Sequence, residues 1–209
     1  MDYHRVKTRN IEYFSKLLQE SGDVHRMVAQ SKISHLKRFK KILELGDFQG
    51  KSLLDVGCGI GGFYGFLKER GITVDYLGVD INPQMIDKAK TCYFEIQDRF
   101  RVHDILERPL ARTFDYVISI GPLNLKFPDN LNMEVTARLI RRMFELSNIG
   151  TAISMTSALT QKPHPDTFYY DPLAVLARVL PFCRNVKLDH TFLPHDFVLF
   201  CYRRDLYDF

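Results

Sequence analysis

With 209 residues, 45% of them hydrophobic, the chain has enough material for one α/β domain, and no apolar run is long enough to cross a bilayer. The opening MDYHRVKTRN shows neither the apolar stretch nor the small-residue cleavage site of a secretory signal, so a soluble cytoplasmic protein without membrane contact is expected. The formal charge of +4 is mild, but Lys32, Lys37, Arg38, Lys40 and Lys41 crowd one segment with His35; it reads as a solvated helix face, with a nucleic-acid or acidic-substrate surface as the alternative.

From Tyr3 to Leu45 the apolar residues recur at helical spacing: Ile11, Phe14, Leu17 and Leu18, then Val28, Ile33, Leu36, Phe39, Ile42 and Leu43. Two helices are predicted, punctuated by Ser21, Gly22 and Asp23, with Asp23 as N-cap of the second; Gly46 ends it and Gly50 turns into a strand. Buried parallel strands are expected at Ser52–Val56, Val74–Val79, Phe100–Val102, Phe114–Ile120 and Thr151–Thr156. Helices are expected between them at Gly62–Arg70, Pro83–Tyr93 and Leu131–Leu146, and a further one at Pro172–Leu180. This alternation implies a doubly wound sheet with helices on both faces. Asn185–Phe192 and Phe197–Tyr202 are joined by only LPHD, too short for a crossover helix, so they predict an antiparallel hairpin. The whole chain reads as one domain, a helical cap over 1–46 and a core over 51–209. Cys58, Cys92, Cys183 and Cys201 are scattered without CxxC pairing or nearby histidines, so neither a metal site nor a disulfide framework is expected.

The chemistry concentrates in LLDVGCGIGG, Leu53–Gly62, where an apolar strand runs into a glycine-rich turn and then a helix. Gly57, Gly59 and Gly61 permit backbone conformations and a close ligand approach that a Cβ would obstruct, and the helix start offers free N–H groups. Asp55 can receive an ammonium group. Gly57, Gly59 and Gly62 also satisfy GxGxxG, so a nicotinamide-dependent oxidoreductase is an alternative. The acidic residue two before the first glycine, the two preceding helices and the terminal hairpin favour a methyl donor instead.

With these residues in place, LLDVGCGIGG resembles the E/DxGxGxG motif of class I, Rossmann-like S-adenosylmethionine-dependent methyltransferases. The resemblance extends over most of the chain and implies a seven-stranded sheet in order 3-2-1-4-5-7-6 with the last strand antiparallel. YLGVDINPQMI resembles the second-strand motif, in which Asp80 would take both ribose hydroxyls and Ile81 and Met85 would flank the adenine. RFRVHDIL resembles the third-strand turn, in which Asp104 would accept from the adenine amine and Ile105 pack on the ring. FDYVISIGPLN resembles the fourth-strand motif, so Ile120–Asn124 would sit beside the transferable methyl group. Its IGPLN departs from the D/N/S-PP-Y/F/W of enzymes that methylate base or glutamine amino groups, which argues against that chemistry. SKISHLKRF and FYYDP are most similar to small, single-domain bacterial members of unassigned substrate.

On the acceptor side, PHPDTFYYDP and the hairpin turn nominate Tyr169, Tyr170 and His195, with His164 behind them and Asn124 as a substrate contact. Each has a plain alternative as core or turn residue. His103 reads as strand-end packing. Arg38 or Ser34 would bind the methionine carboxylate if the second helix lies over the cofactor, and Tyr3 and Tyr13 would then close as a lid. The expected reaction is methyl transfer from S-adenosyl-L-methionine, yielding S-adenosyl-L-homocysteine, to a small-molecule oxygen or nitrogen nucleophile. RNA or protein docked on the basic helix is the second reading, and a binding module without catalysis another.

Overall fold

The computed structural model describes residues 3–21, 32–121, 123–127 and 131–204. In chain order the elements are α1 (Tyr3–Ser21), α2 (Lys32–Ile42), β1 (Ser52–Val56), α3 (Gly62–Glu69), β2 (Asp75–Asp80), α4 (Pro83–Cys92), β3 (Phe100–Val102), β4 (Phe114–Ile120), α5 (Leu131–Leu146), β5 (Ser147–Thr156), α6 (Pro172–Val179), β6 (Val186–Leu193) and β7 (Asp196–Tyr202). A single-turn 3₁₀ segment follows α2, at Leu43–Leu45, and a longer one, kinked at Ile96, leads into β3, at Phe94–Arg99. The expected cap at Asp23, and Val28 beside it, lie outside the described residues.

The strands form one seven-stranded sheet in the order β3-β2-β1-β4-β5-β7-β6, with β7 antiparallel to both β5 and β6. The sheet separates two apolar layers. Leu54, Val56, Val117, Phe197, Leu199 and Cys201 face α5 and α6, whereas Leu53, Tyr76, Ile118, Val198 and Phe200 face α2, α3 and α4. Because neighbouring residues of one strand enter opposite layers and both are dry, the strands read as continuous apolar runs without alternation. The hairpin closes by pairing Leu193 with Asp196, so only Pro194 and His195 form its turn and the strands reach one residue further than expected.

Two strands differ usefully from expectation. β5 begins at Ser147, directly after α5, because its first residues pair with Phe114 and Tyr116 across a register irregularity. β2 ends on Asp80 itself, which puts that carboxylate on the rim where the parallel strands finish. Over this rim lies α1, with Phe14, Leu17 and Leu18 packed on Ile60 and Met85. Asn82, the N-cap of α4, also donates to Ile11 O at 3.2 Å and Ser15 Oγ at 3.0 Å, fastening α1 to the turn after β2.

Candidate active site

The glycine turn after β1 is built by backbone geometry that side chains would oppose. Gly57 and Cys58 both donate to Val79 O, at 2.8 and 3.1 Å, folding the turn against the end of β2. Gly61 adopts φ 84°, and a Cβ there would come within 2.8 Å of Tyr93 and 2.9 Å of Phe100. Its role is therefore the turn and the packing beneath it; the cavity wall is made by Gly57, Gly59 and Gly62.

One cavity dominates the carboxyl edge of the sheet, and the residues expected to hold a cofactor meet there: Asp55, Gly57, Gly59, Asp80, Ile81, Met85, Asp104, Ile105 and Ile120 all line it. The three carboxylates arise from three successive strand ends but differ in surroundings. Asp55 is 2% exposed and accepts from Tyr76 Oη at 2.8 Å. Burial pushes its carboxyl up to about 7, with the Tyr76 hydrogen bond opposing and the Asp80 charge adding to the rise. Asp80 accepts from Gly59 N at 2.9 Å through Oδ2 and from Asn82 N at 2.8 Å through Oδ1, so it braces the glycine turn. Burial raises its pKa and these backbone donors oppose the rise. Asp104 accepts from Leu106 N through Oδ1 at 2.9 Å and from Tyr3 Oη through Oδ2 at 2.9 Å, with Lys7 Nζ 3.2 Å from the same Oδ2. Lys7 also reaches Glu107 at 2.6 Å.

Tyr3 thus lies against the site, as the lid reading requires, and burial, then the adjacent Asp104, raises its hydroxyl pKa strongly. Lys7, Asn10 and Phe14 on the same helix line the cavity as well, and sequence reasoning missed Lys7 and Asn10. The signal available was their spacing from Tyr3, about one helical turn for Lys7 and about two for Asn10. Tyr13 does not line the cavity; its ring packs edge-on against Phe14.

The acceptor-side nominations do not converge. Tyr170 is 0% exposed, donates to Leu123 O at 2.7 Å and lies 2.9 Å from Thr136 Oγ1, a core tyrosine with its hydroxyl satisfied. Tyr169 Oη accepts from His164 N at 2.8 Å, tying the loop to itself. His195 occupies the hairpin turn, outside the cavity lining; Asn124, in the segment after β4, is also outside it, and its Oδ1 accepts from Thr156 Oγ1 at 3.2 Å. The loop is held by bonds to the segment after β4 and to β5, Phe168 N to Asn124 O and Tyr170 N to Thr156 O, and none of these nominated residues lines the cavity. His103 lines the cavity, but its Nε2 lies 3.0 Å from Arg108 O, in keeping with packing at the strand end.

Arg38 is a further correction. It is neither solvated nor in the cavity: at 5% exposure its Nε meets Asp196 Oδ2 at 2.7 Å, joining α2 to the start of β7. Lys41 is likewise engaged, with Glu44 at 2.6 Å and Asp189 at 3.1 Å. The crowded basic segment therefore spends two of its charges inside the fold. The residue of α2 that enters the cavity wall is His35, together with Phe39. Among the described residues no helix is long and apolar enough to cross a membrane.

Comparison with known proteins agrees with this geometry. A family model described as a methyltransferase domain matches residues 53–145, from β1 through most of α5. Rv1506c of Mycobacterium tuberculosis, named a putative methyltransferase, is 27% identical over 154 residues, covering 71% of this chain and 88% of that protein. Among solved structures, magnesium protoporphyrin IX methyltransferase from Synechocystis PCC 6803 with bound S-adenosylmethionine shares the fold at TM-score 0.68 and 17% identity, over 95% of this chain and 97% of that one. The complex of DhpI with S-adenosylhomocysteine matches at TM-score 0.68 and 14% identity, over 98% and 100% of the two chains. Sheet order, glycine turn and sequence match together make the chain similar to the class I, Rossmann-like S-adenosylmethionine-dependent methyltransferases.

Proposed function

We propose that this enzyme transfers the methyl group of S-adenosylmethionine to an oxygen or nitrogen nucleophile of a small molecule. The observation that carries the reading is the cavity itself, which three strand-end carboxylates line on one side and α1 and α2 wall on the other. Its donors and acceptors fit the cofactor. Each oxygen of Asp80 accepts from a backbone N–H and the carboxylate lines the cavity, where it would receive the two ribose hydroxyls. Asp104 keeps one acceptor position on Oδ1 for the adenine amine, while Ile81, Met85 and Ile105 supply apolar surface for the ring. Asp55 supplies a buried carboxylate for the ammonium group, whose positive charge would favour its ionised form.

The sulfonium of the cofactor supplies an activated methyl group, so the chain's own task is alignment and exclusion of water. α1 lines the nucleoside side and Phe39 and Phe63 the other, and a cleft walled by apolar rings in this way suits a small acceptor. The engagement of Arg38 and Lys41 with Asp196, Asp189 and Glu44 weakens the competing reading of a nucleic-acid docking helix. Tyr169, Tyr170 and His195 are not carried forward as proton acceptors. Titration calorimetry with S-adenosylhomocysteine and with NAD tests the cofactor reading: binding of the former alone is expected, and binding of NAD alone refutes it. Salt-sensitive RNA binding at low ionic strength would restore the second reading.

A further inference from the structure

We propose that His35 holds the carboxylate of the cofactor's amino-acid end, the role expected of Arg38 or Ser34. The inference rests on the cofactor reading above and adds a residue to it. Asp104, Asp80 and the glycine turn follow β3, β2 and β1, which are neighbours in the sheet in that order. A ligand with its base at Asp104 and its ribose at Asp80 therefore brings its amino-acid end to the glycine turn. His35 stands there. Its Cε1 lies 3.6 Å from the point that a Cβ on Gly62 would occupy, and Phe39 Cζ lies 3.4 Å from the same point. The imidazole is 4% exposed, lines the cavity and packs on the Phe39 ring at a centroid distance of 4.1 Å, so it is held at the wall rather than swinging in solvent.

The chemistry of the amino-acid end asks for two opposite partners close together. Asp55 suits the ammonium. An imidazole N–H suits the carboxylate, and His35 is the nitrogen-bearing side chain of α2 that lines the cavity, whereas Arg38 lies outside the lining and meets Asp196. Spacing explains the arrangement: residues three apart on a helix share a face only roughly, so His35 can meet Gly62 while Arg38 reaches β7.

The test compares S-adenosylhomocysteine with its decarboxylated analogue, which keeps the adenosine, thioether and ammonium, by calorimetry on the whole chain. The wild-type protein should bind S-adenosylhomocysteine about tenfold more tightly, the scale of one hydrogen bond to a charged group. In His35→Phe, which keeps a ring packed against Phe39, and in His35→Leu, that preference should fall to within about twofold while the analogue binds as before. His35→Gln, which keeps an N–H donor, should retain most of it. No preference in the wild type, or an undiminished preference in whichever apolar variant folds, overturns the assignment. A wild-type protein that binds neither compound refutes the cofactor reading instead, so the two failures are distinct.

Discussion

Replacing Arg38 with Met should destabilise the protein far more than a surface substitution, because of the partner it leaves behind. Asp196 is 1% exposed, its Oδ2 is paired with Arg38 Nε at 2.7 Å, and its Oδ1 has no hydrogen-bond partner among the described residues. Without the guanidinium a carboxylate remains in a dry position, and removing one partner of such a pair costs about 3–5 kcal/mol. In a domain of this size each kcal/mol lowers the melting temperature by about 2–4 °C, so a fall of about 10 °C is expected. Arg38→Met/Asp196→Leu removes the stranded charge and should recover much of the loss, giving a coupling energy of about 2 kcal/mol or more in a double-mutant cycle read by urea unfolding. A single-mutant cost below about 1 kcal/mol, or costs that simply add, would refute the reasoning. Arg38→Met should also bind S-adenosylhomocysteine within about threefold of wild type once folded, since Arg38 is outside the cavity. A selective loss of the carboxylate preference in this variant would return that role to Arg38.

Asp80→Ala should lower S-adenosylhomocysteine affinity at least about tenfold, and it should also cost about 1–3 kcal/mol of stability, because Gly59 N and Asn82 N lose their acceptor. Unchanged affinity would refute the ribose assignment. For Asp55 the pH dependence has a definite sign. Its folded carboxyl is raised to about 7, so between the ordinary carboxylate range and that value the folded protein holds a proton that the unfolded chain has released. Its contribution therefore lowers stability as pH rises from about 4 to about 7. Asp55→Asn should flatten that slope in urea unfolding and be more stable at pH 7.5, by on the order of a few kcal/mol, while binding S-adenosylhomocysteine more weakly. A slope retained in the variant would show that another group carries it.

Much of the architecture was legible because it depends on local patterns. Apolar runs bounded by turns specified the strands, and the four-residue link LPHD could only join an antiparallel pair. The glycines of Leu53–Gly62 and the acids ending two later strands marked the cofactor side, since parallel strands all deliver their last residues to one edge. The acceptor side was not legible in this way. PHPDTFYYDP leaves the same edge, but its direction is set by hydrogen bonds to distant residues: Tyr170 to Leu123 O, Phe168 N to Asn124 O and Thr156 Oγ1 to Phe168 O. No spacing within the loop encodes those partners.

The same contrast divides α2. The sequence alone determined that Lys32–Ile42 would be helical and that Arg38 and His35 lay near one another on it. Which of them would enter the cavity depended on the helix's rotation against the sheet. That rotation is decided by where Asp196 and Asp189 stand on the hairpin more than 140 residues away, and a buried cation goes where its counter-charge is. Tertiary structure thus withdrew Arg38 from the site and put His35 at the glycine turn.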